Sequence, residues 1–383
     1  MVVTTTYLDH AATTPVRPDA FDAMLPWLRE RYGNPSGSHG FARAARKAID
    51  EARDVVAECL GRMPREIVFT SGGTEADNLA VTGVVGQRRG TVVCSAVEHH
   101  AVLDAVEALG GRTVGVDPGG RLDLDELVEV LDDDVCLVSV MLANNEVGTI
   151  QPVAEVVRLV AEHAPGAVVH SDVVQAISWL DVADLAAGVD LLALSAHKFG
   201  GPQGVGALAV REGITLTPLL RGGGQERERR SGTQNVAGIV GMAAALRATV
   251  RERTSTVARV ARLRDRLADG LTSTVAGCTE SGDRSNKVAG SCSLLLADVE
   301  TEALLVLMDQ AGVCATAASS CASGAMGPSH VLRAMGVSPE LALGSLRLSL
   351  GWTTAEADVD RALEVIPALV ARLRDRSPLA IRP

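Results

Sequence analysis

From about Arg17 to about Thr249 the chain alternates short apolar runs with amphipathic stretches, the pattern of βα units feeding a mainly parallel sheet. The apolar runs predict strands at Ile67 to Phe69, Thr91 to Cys94, Val135 to Val140, Ala167 to His170, Leu191 to Leu194 and Val205 to Val210. The first five of these end in polar or glycine-containing loops. Ligands of open α/β sheets gather beyond the carboxyl ends of strands, so chemistry is expected there. After about Val250 the run RERTSTVARVARLRDRLADGL reads as a long amphipathic helix. A polar loop around Ser281 to Lys287 follows, then a different mix of short strands and helices, which suggests a second, smaller domain. At 383 residues the chain exceeds what one core usually supports.

Composition narrows the function classes. Apolar residues at 47% and charged residues at 22% are those of a globular protein, while aromatics at 2% leave the core to Ala, Val and Leu. A net charge of -11 argues against phosphate backbones or anionic lipid as direct ligands. The longest apolar stretches, such as Val135 to Ala143, are too short to span a bilayer, and the start MVVTTTYLDH has no basic flank before an apolar run. The expectation is a soluble, cytoplasmic protein with no nucleic-acid or membrane partner. Seven cysteines, none in a C-x-x-C pair, disfavour a disulfide framework or a thiolate zinc site.

Lysine is scarce: of 36 basic residues only Lys47, Lys198 and Lys287 are lysines. Lys47, in ARAARKAIDEARD, reads as a helix-surface charge, and Lys287 as part of a polar loop. Lys198 follows a buried apolar strand and precedes a glycine-rich turn in LLALSAHKFGGPQGVGALAV, where an amine is costly unless partnered. It is either a lysine snorkelling at a strand end or a Schiff-base lysine holding pyridoxal 5′-phosphate (PLP). PLP needs a carboxylate at its ring nitrogen, because the cationic ring is the electron sink. Asp172, ending AVVHS, is the candidate, with helix capping as the alternative. Gln175, three residues on, is placed to reach the phenolic oxygen.

The phosphate needs backbone N–H donors at a helix start, which TSGGTEADN offers through Gly72, Gly73 and Thr74 before a helix opening at Glu75. His99, after the strand TVVCS, could stack on the ring or carry a proton. Asn145 closes another strand, as a turn former or as a ligand of cofactor or substrate. Cys321 lies among small residues in ATAASSCASGAMGPSHVLRAMG, where a reactive thiol belongs. Arg347, in SLRLSLG, can grip an amino-acid carboxylate bidentately or serve as a surface strand charge.

Together, YLDHAATTP, GNPSGSH, FTSGGTEADN, EHHAVLD, NNEVGTIQP, HSDVVQ, SAHKFGGPQGVGAL, RSGTQN, the Cys321 loop with PSHVLRAMG, and SLRLSLG appear in the order of one family. The chain resembles the cysteine desulfurases of the iron-sulfur-cluster and nitrogen-fixation type, in the class V aminotransferase group of fold-type I PLP enzymes. The resemblance implies an α/β fold with a large domain, residues 15–250, built on a mostly parallel seven-stranded sheet. A smaller α+β domain would combine residues 1–14 with 251–383. It further implies that Lys198 carries PLP, Asp172 pairs with the ring nitrogen, Gln175 meets the phenolic oxygen and His99 stacks on the ring. Thr74, Ser195 and His197 would hold the phosphate beside Gly73, with Thr233 of a second subunit, hence a homodimer. Asn145 and Arg347 would hold the carboxylate of L-cysteine. Lys198 would remove the Cα proton, His99 would carry protons, and Cys321 would take the sulfur as a persulfide for a protein acceptor in iron-sulfur assembly, tRNA thiolation or DNA sulfur modification. A selenocysteine lyase, a cysteine sulfinate desulfinase or a non-catalytic sulfur-transfer scaffold are the rivals. One departure stands out: many relatives have a glycine shortly before the catalytic cysteine, where this chain reads Ala317-Ala318-Ser319-Ser320, which should stiffen the loop.

Overall fold

Continuous apolar runs become strands covered on both faces. The computed structural model describes residues 5–318 and 328–375. Its main sheet contains β2 (Ile67–Thr70), β3 (Thr91–Ser95), β4 (Arg112–Val114), β5 (Val135–Ser139), β6 (Val168–Asp172), β7 (Leu191–Ser195) and β8 (Gly206–Val210), after β1 (Thr6–Tyr7) near the start. Their order is β2-β8-β7-β6-β5-β3-β4. Five neighbouring strands pair in parallel, while β8 runs against both β2 and β7. The sheet is thus seven-stranded and mostly parallel, as expected. β5, β6, β7 and β8 are buried along their whole length, as parallel sheets sandwiched by helices require. In β6 that buried length includes His170, Ser171 and Asp172, polar groups whose burial needs a reason.

Helices α1 (Pro18–Arg29), α2 (Gly40–Leu60), α3 (Gly73–Val85) and α4 (His100–Ala108) belong to this body. α3 opens at Gly73, two residues before the position expected from sequence, because Gly72 already has an extended backbone that lets the helix begin directly after the turn. The long helix also starts earlier, running without a break from Val236 to Thr274, because its first half packs on α1 and α2 and its second half on the C-terminal body. Apolar periodicity weakens where one helix changes the face it buries.

The C-terminal body has its own apolar core, in which Leu8 packs with Leu294, Leu348 and Ile366. It contains an antiparallel sheet of β9 (Cys278–Glu280), β10 (Ser291–Leu296), β12 (Thr316–Ala317) and β13 (Ser345–Ser349), in the order β12-β13-β10-β9. β1 pairs in parallel with β11 (Val313–Cys314), so the first described residues are stitched to this body and then cross to the main sheet.

Candidate active site

The link from β7 to β8 delivers Lys198. After Ser195 the chain makes one tight helical turn, Ala196–Lys198, and is turned back by Gly200 at φ 89°, where a side chain would meet Arg17. Lys198 Nζ donates to the carbonyls of Ala11 at 2.6 Å and Ala12 at 2.8 Å. The amine is therefore held by the segment that joins the two bodies.

Asp172 ends β6, fully within the fold. Its Oδ1 accepts from the Val174 backbone N–H at 2.8 Å, a local turn bond in place of the helix cap that was the alternative reading. Burial raises its pKa above the ordinary carboxyl range, opposed by the Val174 bond and by nearby Lys198. Gln175 Nε2 donates to the Ala11 carbonyl at 2.8 Å, so the same N-terminal segment touches both the amine and the amide.

The turn between β2 and α3 packs unusually close to β8. A Cβ on Gly206 would lie 2.6 Å from the Leu194 carbonyl and 2.7 Å from Gly72 C, and one on Gly73 would lie 3.1 Å from Val174 Cγ2. Only glycine fits at Gly206, and the close packing brings the first turn of α3 beside Ser195. His197 Nδ1 lies 3.2 Å from Thr13 Oγ1. His99 caps α4, its Nδ1 accepting from Ala101 N–H at 3.1 Å, so a neutral ring carries its proton on Nε2. Burial, reinforced by the Lys198 charge, pushes both His99 and His197 down to about 4.

These side chains meet. A cavity of about 460 Å³ is lined by Gly73, Thr74, His99, Asn145, Asp172, Gln175, Ser195, His197, Lys198 and Arg347. Arg347 is buried, donating to the Asn145 carbonyl at 3.1 Å. Thr233 stands apart: it is exposed and is not among the cavity's lining residues. Its loop is tied to α3, since Arg230 makes a forked contact with Glu75 at 2.8 and 3.2 Å. Cys321 lies outside the described residues. On its near side the chain is fixed as far as Ala317 by β12, and on its far side Ser329 donates a short hydrogen bond to buried Glu146.

Two acidic cavity residues are not distinguished by the sequence. Asp9 and Asp77 also line the space. Both sit inside motifs already singled out, YLDHAATTP and TSGGTEADN, but nothing local distinguishes them from solvated acids. Lys287 lies in the loop between β9 and β10, as expected, but is buried there, bonded to Glu280 at 2.8 Å. The loop beginning Gly222-Gly223-Gly224 is pinned through Glu226, which accepts from Arg53 at 2.7 and 2.9 Å. Lys47 is an exposed helix charge, as expected.

The donor set suits PLP: an amine, a helix start with neighbouring hydroxyls for a phosphate, a buried carboxylate for a cationic ring nitrogen, and an amide for a phenolic oxygen, around a space of ligand size. Among the described residues no cluster of His, Cys, Asp or Glu is arranged to hold a metal ion, and no helix is long and apolar enough to cross a membrane.

Comparison with known proteins bears on what the cavity does. The aminotransferase class-V family profile matches residues 6–362. An IscS-like cysteine desulfurase of Mycobacterium tuberculosis is 46% identical over 389 residues, covering 98% of each chain. Among solved structures, a NifS-like protein matches with a TM-score of 0.90 at 36% identity, over 96% of this chain and 100% of its own. A structure described as SspA in complex with cysteine matches with a TM-score of 0.77 at 29% identity, over 90% of this chain and 99% of its own.

Proposed function

Because the chain belongs to the aminotransferase class V family, and within it to the cysteine desulfurases, we propose that it is a PLP enzyme that removes sulfur from L-cysteine, giving L-alanine and a persulfide on Cys321. The observation that carries this reading is the convergence of Lys198, buried Asp172 and buried Arg347 on one cavity. When bound, PLP supplies the electron sink that makes the Cα proton of an amino acid removable.

The residues of this chain do the rest. Lys198 Nζ holds the cofactor and takes the Cα proton. Arg347 and Asn145 fix the carboxylate of L-cysteine, and its relative SspA has been solved with cysteine bound. Gly73, Thr74, Ser195 and His197 would hold the phosphate, Asp172 the ring nitrogen and Gln175 the phenolic oxygen. His99 would lie against the cofactor ring and, being neutral at pH 7, can accept a proton and hand it on. The Cys321 thiolate attacks the substrate sulfur; the S–Cβ bond breaks, its electron pair stays with the alanine fragment, and the persulfide passes to a protein acceptor. Residues 15–250 form the cofactor domain, and 1–14 with 251–383 the companion that carries Arg347 and Cys321.

The active form is a cytoplasmic homodimer in which Thr233 reaches the phosphate of the second subunit. An unfilled apolar face supports this: Phe21, Leu25 and Leu28 share one side of α1 and are exposed, as are Tyr32 and Phe41 nearby. The testing experiment measures alanine and sulfide from L-cysteine with PLP and dithiothreitol. Equal yields from the wild type and none from Cys321→Ser or Lys198→Ala are expected; undiminished output from Cys321→Ser would refute the persulfide step.

A further inference from the structure

Two residues before Asp172 on β6 lies His170, so both side chains point to the same face of the sheet. α3 covers that face and brings Asp77, 1% exposed, against His170: Asp77 Oδ1 stands 3.5 Å from His170 Nε2. His170 Nδ1 in turn lies 2.8 Å from Ser139 Oγ on β5. Ser139, His170 and Asp77 thus form a buried polar ladder that climbs from the sheet to the cavity. At its top Asp77 lines the same space as Asp172.

The charges around this ladder do not balance. From β6 come Asp172 and His170, from the link before α4 come Glu98 and His99, and after β7 comes Lys198. Of the three carboxyl groups, only Asp172 is favoured by the amine. A carboxylate out of water is costly unless paired, and neighbouring carboxylates cannot all ionise. Asp172 has an N–H from Val174 and the field of Lys198 in its favour. Asp77 has neither: burial, Asp172 and Glu98 all push its pKa up. Burial also drives His170 down to about 3, so its ring is neutral and one nitrogen is an acceptor.

Resting on the cofactor reading above, we propose that Asp77 is a positioning residue that keeps its proton and offers it to His170, leaving Asp172 as the one ionised carboxyl available to the cofactor's ring nitrogen. The proton belongs to Asp77, the acceptor is His170 Nε2, and the His170 Nδ1–H is then donated to Ser139 Oγ. Asp77 acts through Asp172: it adds no charge of its own, and it fills space that water would otherwise enter beside a carboxylate. Its side chain can be neutral without loss, but it cannot be absent without loss.

The test reconstitutes the full chain with PLP and reads two quantities other than turnover: PLP affinity, and the pH midpoint of the bound cofactor's visible absorption band. Wild type, Asp77→Asn and Asp77→Ala are compared. Asparagine is neutral and nearly isosteric, so it should bind PLP within about twofold of wild type with an unchanged midpoint; alanine should bind about tenfold more weakly. A midpoint shift of about one pH unit or more in Asp77→Asn would show that Asp77 carries charge and overturn the proposal. Wild-type affinity in Asp77→Ala would overturn it equally. If Asp77→Ala does not fold, the midpoint of Asp77→Asn decides alone. Failure of the wild type itself to take up PLP is a separate result, which would refute the cofactor reading and this inference with it.

Discussion

Arg347 Nη2 stands 3.3 Å from Asp9 Oδ1, two residues 338 positions apart in sequence. Arg347 Nη1 is bonded to the Asn145 carbonyl. The guanidinium is thereby fixed between the N-terminal segment, the loop after β5 and β13, with its fork at the cavity wall.

A guanidinium fixed in this way has little to gain by moving and much to offer a carboxylate. Arg347→Ala should raise KM for L-cysteine by about 10- to 100-fold, the loss of one or two charge-assisted hydrogen bonds, while PLP content is unchanged. Steady-state kinetics with a cofactor absorbance reading checks this; equal KM values would remove Arg347 from the substrate site.

Glu146, bonded to Ser329, is pushed by burial from an ordinary 4.5 up to about 7. The folded chain therefore holds this proton more tightly than the unfolded chain. That contribution is fully present below pH 4.5 and is lost as pH rises through 7. In Glu146→Gln the loss is absent, so the variant should gain stability relative to wild type between pH 4.5 and 7, by up to about 3 kcal/mol. Denaturant unfolding at pH 5 and pH 8 measures it, and a difference that does not change with pH would contradict the assignment.

His99 has its pKa lowered to about 4, mainly by burial. It should stay neutral through the working range, leaving no His99 limb in the kcat profile between pH 6 and 8. Replacing it by Gln should lower kcat by about 100-fold or more, as loss of a proton carrier does, with PLP still bound. A wild-type kcat in the variant would assign the proton transfer elsewhere.

Glu226, Arg227 and Glu228 have φ values of 50°, 57° and 65°, each costing about 1–2 kcal/mol for a residue with a side chain. The buried Arg53–Glu226 pair offsets that strain, helped by the Phe69 N–H at 3.0 Å. Glu226→Ala leaves Arg53 buried without its counterion and should destabilise the chain by about 3–5 kcal/mol. Trypsin cleavage at Arg227, Arg229 or Arg230 should accelerate in the variant. Unchanged cleavage and an unchanged melting temperature would mean the loop is held by other contacts.

Much of the site is legible in the sequence. The main sheet's strands followed from apolar runs except β4, whose short stretch Arg112–Val114 is largely exposed, and Lys198 stood out because lysine is scarce and an amine after a buried strand needs a partner. His99, Asp172 and Ser195 follow or end strands, where parallel sheets collect ligands, so locating the strands nearly located the site. The long helix was located less well, since its buried face changes along its length. The burial of Lys287 was not legible, because its partner Glu280 ends the preceding strand and no local pattern announces it.

By itself, then, the sequence determined most of the main sheet's strands, its mostly parallel class and most of the groups with chemistry to perform, since these depend on periodicity and residue type over a few neighbours. The tertiary structure alone decided which of those groups meet and in what protonation state. The contact of Lys198 with the Ala11 and Ala12 carbonyls, the Asp9–Arg347 pair and the crowding of Asp77 beside Asp172 each join distant stretches of chain. Their energies depend on distance and on exclusion from water, and neither quantity exists until the chain has folded.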